Sequence, residues 1–202
     1  DSTVVAALMH RAIGERSTAV LIDHGLMRKN EAKNCVSALK DGLKVNIHCY
    51  DESNIFLSKL SDITDPEEKR KIIGNQFIYS FDRIAGELGE IQFLAQGTLY
   101  PDVIESGVSK GKSAHMIKSH HNVGGLPKNM TFELVEPLRE LFKDEVRKVG
   151  RELGLPESLI DRHPFPGPGL AVRIIGEITE ERIAILQDAD QIYIDILHED
   201  GI

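Results

Sequence analysis

Short apolar runs that end at polar residues alternate along this chain with stretches of helical periodicity, and that alternation leaves few folds open. Thr18 to Asp23 (TAVLID) has the length of a buried strand and closes on an acid. Val45 to Tyr50 alternates as a second strand, and Gln92 to Ala95 reads as a third. Between and around them lie helical stretches. Val4 to Ile13 is apolar at Val4, Val5, Leu8 and Ala12 and stops at Gly14, with Ser2 or Thr3 available as its cap. Asn30 to Lys40 is a second helix. Asp65-Pro66-Glu67 opens a long third one, with an acid at the cap and proline in the first turn. Lys143 to Leu153 is closed by Gly154, with Pro156 beyond. Strands and helices in this order predict an α/β fold, an open, mostly parallel sheet with helices on both faces. Ligands of such folds sit at the carboxyl ends of strands, which directs attention to Asp23 to Gly25 and to Gln96 to Thr98.

Near the end the pattern changes. Three of the eight prolines fall in HPFPGPG, His163 to Gly169, too rigid for a helix or a central strand. Beyond it, Ala171 to Ile175 reads as a strand and Thr179 to His198 as a helix, apolar at Ile183, Leu186, Ala189 and Ile192 or Tyr193. A boundary near Gly169 is expected, dividing a domain over 1–168 from the start of a smaller α+β domain over 169–202. The second part is too short for a core of its own.

The net charge of -8 over 202 residues argues against broad binding to nucleic acid. Positive charge is local, at Lys69, Arg70 and Lys71 and again at Lys143, Arg147, Lys148 and Arg151. Such islands suit a small anion, or else are solvated helix faces. No apolar run approaches the roughly 20 residues of a membrane span, and the opening shows no leader pattern. Cys35 and Cys49 carry no metal spacing and are expected as buried free thiols, which implies a cytoplasmic setting (the cytosol).

Individual residues carry further expectations. On the long helix, Ile73, Phe77, Phe81, Ile84 and Leu88 make an apolar stripe, and position 70 falls along it. Arg70 is therefore expected to face inward and to meet an anion, with an internal salt bridge as the alternative. Gly97 lets a ligand approach the backbone. Asp102 and Glu105, three apart beyond Pro101, share one side of a helical turn and are candidates to hold Mg2+ or orient a substrate, or are simply solvated. Lys118-Ser119-His120-His121 follows a stretch rich in glycine, serine and lysine that reads as a lid. Neighbouring histidines diverge and no third ligand is spaced near them, so zinc is not expected. Lys118 and His120 are better suited to stabilising phosphate charge or moving a proton.

Five motifs together resemble the GMP synthetase family: DPEEKRKIIG (Asp65 to Gly74), QGTLYPDVIES (Gln96 to Ser106), IKSHHNVGG (Ile117 to Gly125), EPLRELFKDEVR (Glu136 to Arg147) and RHPFPGPGLAVR (Arg162 to Arg173). They occur in the family's order and cover most of the chain. The resemblance implies a ligase of the adenine nucleotide alpha-hydrolase-like fold that makes GMP from xanthosine monophosphate, ATP and ammonia. The C2 carbonyl oxygen of the substrate attacks the alpha-phosphate of ATP, and ammonia then displaces AMP. It implies Mg2+ with ATP as co-substrate, ammonia from a glutaminase domain preceding this chain, and a homodimer through a C-terminal domain running beyond Ile202. The family's pyrophosphate loop reads Ser-Gly-Gly-Val-Asp-Ser, whereas this chain opens at Asp1-Ser2-Thr3. The resemblance makes Asp1 a metal ligand and Ser2 a phosphate ligand, where the plain alternative is a helix cap. Asp23 and Gly25, with His24 in place of the more usual asparagine, and Gln96, Gly97 and Thr98 would meet ATP. Arg70 would bind the substrate nucleotide. Asp102, Glu105, Lys118, His120, His121 and Lys143 would serve the chemistry, and Asp144 would be a second metal ligand. A helix N-terminus contributes only about 0.3 to 2 kcal/mol to anion stabilisation, against the roughly 8 kcal/mol or more that catalysis demands. Metal and fixed cations would have to supply the rest. A non-catalytic nucleotide-binding module of the same fold is the alternative.

Overall fold

A computed structural model describes residues 1–108, 132–163, 165 and 167–201; of 105–108 it describes the backbone only. Lys118, His120 and His121 lie outside the described residues, as does the side chain of Glu105.

The first strand is β1 (Ala19–Asp23), paired in parallel with β2 (Ile47–Asp51), so that Ala19 lies opposite Ile47 and Asp23 opposite Asp51. Successive side chains of a strand leave on opposite faces. In β1, Ala19 and Leu21 pack on one core and Val20 and Ile22 on another. The first core takes Val4 and Val5 from α1 (Ser2–Ile13) and Val146 from α6 (Lys143–Glu152). The second takes Phe56 from α3 (Ser53–Lys59), Ile73 and Ile84 from α4 (Pro66–Glu87) and Ile183 from α8 (Glu180–Glu199). A strand buried on both faces needs the near-continuous apolar run that TAVLID supplies. A second parallel pair joins β3 (Phe93–Ala95) to β4 (Glu133–Val135), with Ala95 opposite Val135. Among the described residues the strands form two pairs rather than one continuous sheet. The remaining helices are α2 (Glu31–Ser37), which continues through a wide π-type turn over Ala38–Gly42, α5 (Tyr100–Val108) and the short α7 (Glu157–Ile160).

The long helix starts as expected: the Asp65 carboxylate accepts from the Glu68 amide at 2.8 Å, with Pro66 in the first turn. Its buried line, however, is Lys69, Ile73, Gln76, Ser80 and Ile84. At 100° per residue this face lies about 60° round the helix from the apolar stripe. Arg70 is thus not inward. Its side chain is 52% exposed and pairs at 3.2 Å with Glu67 on the same helix. The buried cation is its neighbour, Lys69, whose Nζ donates to the carbonyls of Ile174 at 2.8 Å and Gly176 at 2.6 Å, with Ala171 at 3.5 Å. Further along, Gln76 donates to Ser80, and Ser80 to the buried Glu52 at 2.9 Å. Hydropathy misplaced the face because polar groups that satisfy one another occupy its middle. Replacing Lys69 with methionine keeps the stem and strands the carbonyls, an expected loss of about 2 kcal/mol. A lowered denaturation midpoint checks this; an unchanged one removes Lys69 from the forces holding 171–176.

The structure also differs from the expected strand at 171–175, from the expected inner face of the last helix and from the expected burial of both cysteines. Ala171 to Ile175 is not a strand: Gly169–Val172 is a 3-10 turn, entered at Gly169 with a φ of 65°. On α8, Ile192 and Tyr193 are exposed, while Ile183 and Asp190 face inward. Residues Ala171, Ile174, Ile178 and Ile183 share the second core with Ile22 and Phe56. Cys35 is half-buried but Cys49 is exposed, and both thiols are free. No helix of the described residues is long and apolar enough to cross a membrane.

Candidate functional site

The turns that follow β3 and β4 and the head of α1 come together around Asp1. Asp1 precedes α1 but makes no side-chain cap to it; its carboxylate instead pairs with Lys143 Nζ at 2.6 Å. The first-turn amides of Ser2, Thr3 and Val4 then have no acceptor within the helix, as at any helix head. Val5 is the first to bond back, to the Asp1 carbonyl at 3.0 Å. Gly97 lies hard against this head. A Cβ built there would come within 3.0 Å of the Ser2 nitrogen and 3.1 Å of the Asp1 carbonyl carbon. The absent side chain at 97 is what lets the turn after β3 reach the helix head.

On the same side, Gln96 donates its amide to Val135 at 2.9 Å, extending the β3–β4 pairing by one residue. Thr98 Oγ1 then donates to Glu136 at 2.7 Å, so the turns following the two strands are tied together. Glu136 also holds Arg139. Asp102 accepts the Leu99 amide at 2.9 Å at the entrance to α5. Lys143 opens α6, whose preceding amide, Phe142, donates to Glu145 at 2.8 Å. Burial pushes the Lys143 ammonium below its ordinary pKa, the positive charges of Arg147 and Arg162 push it the same way, and Asp102 opposes them. Arg162, which also holds Glu31, was not singled out from the sequence as a site residue. Lys143, Arg147 and Arg162 thus lie near enough for their charges to act on one another, but each also meets an acid: Asp1, Asp144 and Glu31 respectively.

The basic face of α6 does not act as a unit. Arg147 pairs with Asp144 at 3.0 Å and lies 3.7 Å from Asp161, and Arg151 holds Glu157 and Asp161. Only Lys143 reaches across to Asp1. Asp144 is 84% exposed and engaged along its own helix.

The end of β1 forms a separate turn. Asp23 Oδ1 accepts the Gly25 amide at 2.9 Å, and the Asp23 carbonyl accepts the Glu52 amide at 2.8 Å. Gly25 has a φ of 74°, and a Cβ there would sit 2.8 Å from Ser53 Cβ. The resulting close fit needs glycine twice over. His24 is buried; its Nδ1 accepts the Leu26 amide at 3.0 Å, and its ring stands 5.7 Å from that of Phe56. Burial lowers its pKa, keeping the imidazole neutral, and the acceptor role puts the remaining proton on Nε2.

No three acids, histidines or cysteines converge on a metal-sized site among the described residues. Mg2+ bound with nucleotide needs only one or two carboxylates beside phosphate oxygens. Asp1, with its carboxylate held by an exchangeable, half-exposed lysine, fits that requirement. Burial pushes the Cys35 thiol up in pKa, and Cys49, exposed but partly desolvated and near the Asp23 and Asp51 carboxylates, is raised as well, the reverse of what a nucleophilic thiol needs.

These features describe an α/β protein in which the ends of one parallel strand pair meet a helix head beside the Asp1–Lys143 ion pair. No family model matches the sequence. Among curated proteins, the chain is 58% identical over 201 residues to a glutamine-hydrolysing GMP synthase of Carboxydothermus hydrogenoformans, covering 100% of this chain and 39% of that protein. It is 60% identical over 192 residues to the enzyme of that name from Lactobacillus delbrueckii subsp. bulgaricus, covering 95% of this chain and 37% of the relative. The corresponding figures for Teredinibacter turnerae are 59% over 197 residues, 98% and 38%. The chain belongs to the glutamine-hydrolysing GMP synthase family, and it spans about two-fifths of the length of the relatives it matches.

Proposed function

We propose that the protein carrying this chain is a ligase that makes GMP from xanthosine monophosphate, ATP and ammonia, and that this chain performs the ATP-dependent activation. The match along the whole chain to GMP synthases is the observation that carries the reading. The C2 carbonyl oxygen of xanthosine monophosphate attacks the α-phosphorus of ATP as the bond to pyrophosphate breaks. Ammonia then adds at C2, loses a proton, and AMP leaves. Lys143 at the head of α1, where the first-turn amides lack helical acceptors, suits the departing pyrophosphate, with Ser2 as a hydroxyl donor. The Asp23–Gly25 turn and Gln96 to Thr98 suit the adenosine end of ATP, and Asp102 orients the entrance to α5 near them. Mg2+, held by Asp1 with Asp144 as a second candidate, would neutralise phosphate charge. Arg70, exposed on α4, remains available to the phosphate of the nucleotide substrate. Lys118, His120, His121 and Glu105 complete the proposed chemical set.

Ammonia is assigned to a glutaminase domain of the same protein, and the setting to the cytoplasm. The 1–168 and 169–202 division is retained as a proposal, the second part beginning a dimerisation domain. Ile185, Ile192, Tyr193 and Ile196 recur along one exposed side of α8, which supports pairing with a second copy.

The intact protein, given ATP, Mg2+, ammonium and xanthosine monophosphate, is expected to yield GMP and pyrophosphate together. Bound ATP with neither product would leave a nucleotide-binding module of this fold.

A further inference from the structure

Four consecutive residues following the Asp23–Gly25 turn are each tied to the 163–190 segment. The Leu26 carbonyl accepts the Leu170 amide at 2.7 Å. The Met27 carbonyl accepts from Gln187 Nε2 at 2.9 Å. Arg28 Nε meets Asp190 at 2.8 Å, and its Nη1 donates to the His163 carbonyl at 2.9 Å. Lys29 meets Asp188 at 2.6 Å. Three of the anchoring side chains, Gln187, Asp188 and Asp190, lie on α8 within one turn.

The Arg28 junction is the centre of this seam. Asp190, though charged, is 6% exposed, and it accepts from Arg28 and from Arg173 at 2.7 Å. The Phe165 ring, from the proline-rich segment, has the Arg28 guanidinium 4.5 Å from its centre and the Arg173 guanidinium at 5.2 Å. Two cations, one anion and one aromatic face thus join the β1 exit, the proline-rich segment, the 3-10 turn and α8. Breaking a buried charge junction by removing one member leaves the others uncompensated, so the junction has one favoured arrangement.

We propose that Asp190 is a positioning residue for the nucleotide turn: through Arg28 and Arg173 it fixes the 24–29 segment on α8, so that ATP affinity depends on where α8 sits. The inference rests on the reading that Asp23 to Gly25 meet ATP. Asp190 acts by holding Arg28, three residues beyond the turn. Whatever displaces α8 would displace the turn with it.

Hydrogen exchange of the 24–29 amides and steady-state kinetics of the intact protein test this, using Asp190→Asn and the uncharged Gln187→Ala. In both variants the amides are expected to exchange faster without ATP. The KM for ATP should rise, about tenfold for Asp190→Asn, while kcat at saturating ATP and the KM for xanthosine monophosphate stay within about twofold. Unchanged exchange in both variants, or equal loss for both substrates, overturns the proposal. Faster exchange with an unmoved KM, together with no protection of the turn by ATP in the unsubstituted protein, overturns the ATP reading of the turn and the proposal with it. If Asp190→Asn fails to fold, Gln187→Ala alone decides.

Discussion

Replacing Gly169 with alanine is expected to destabilise the protein by about 3 kcal/mol or more, because two penalties fall on one residue. The backbone φ of 65° is costly for any side chain. The new Cβ would also lie 2.2 Å from the Leu26 carbonyl oxygen, a backbone atom that cannot rotate aside. To relieve the overlap the Leu170 to Leu26 hydrogen bond of 2.7 Å must open, leaving a buried carbonyl unpaired. Gly154→Ala is the internal control. Its φ of 83° imposes the same kind of strain, but its nearest neighbour is a flexible leucine methyl at 3.5 Å. About 1 kcal/mol is expected there. In a chain of this size the two differ by roughly 4 to 8 °C in midpoint. Equal losses at 169 and 154 would show that the contact with Leu26 contributes nothing.

Lys143→Ala is expected to slow pyrophosphate release by about a hundredfold while leaving the melting temperature within about 2 °C. The two magnitudes separate because of where the group sits. Its ion pair with Asp1 is half-exposed, and exposed pairs contribute about 0 to 1 kcal/mol to stability. A cation already in place beside a developing polyanion is worth far more to the transition state, since no reorganisation is needed as charge appears. Single-turnover measurement of pyrophosphate, alongside thermal melting, checks both. A large drop in melting temperature with a matching drop in rate would make Lys143 a structural residue instead.

Much of the architecture was legible because the covering helices and the inner strand obey simple periodicities. Val4 and Val5, TAVLID and the Asp65-Pro66 cap each announce their element in local terms. What stayed hidden depends on partners far along the chain. The apolar stripe points to Arg70 rather than Lys69, and nothing nearby in the sequence reveals the carbonyls of Ile174 and Gly176 that receive the lysine. The helix α3 escaped notice since SNIFLSK is too short for a clear period. The 171–175 strand was expected from its β-branched residues, yet the left-handed Gly169 turns the chain into a 3-10 coil first. At the site, the glycine after β3 suggests a place where a ligand meets the backbone, and the neighbour the structure gives Gly97 is the head of α1. The Asp1–Lys143 pair spans 142 residues and the Thr98–Glu136 bond 38, separations over which no spacing rule operates. Glu136 opens the EPLRELFKDEVR motif, where nothing local sets it apart from the acids that follow.

The polar spine of α4 has a consequence for how the chain avoids misassembly. A helix with a purely apolar inner face can slide by one turn, about 5.4 Å, and still bury grease against grease. The same slip here would drag the Lys69 ammonium away from its carbonyls and press it, uncompensated, where Ile73 now packs, while Ser80 and Glu52 parted company. Intermediate registers are therefore poor compromises and a near-miss is rejected early. The lysine, glutamine and serine act as an indexing pin that fixes the register of α4 as well as helping to hold it.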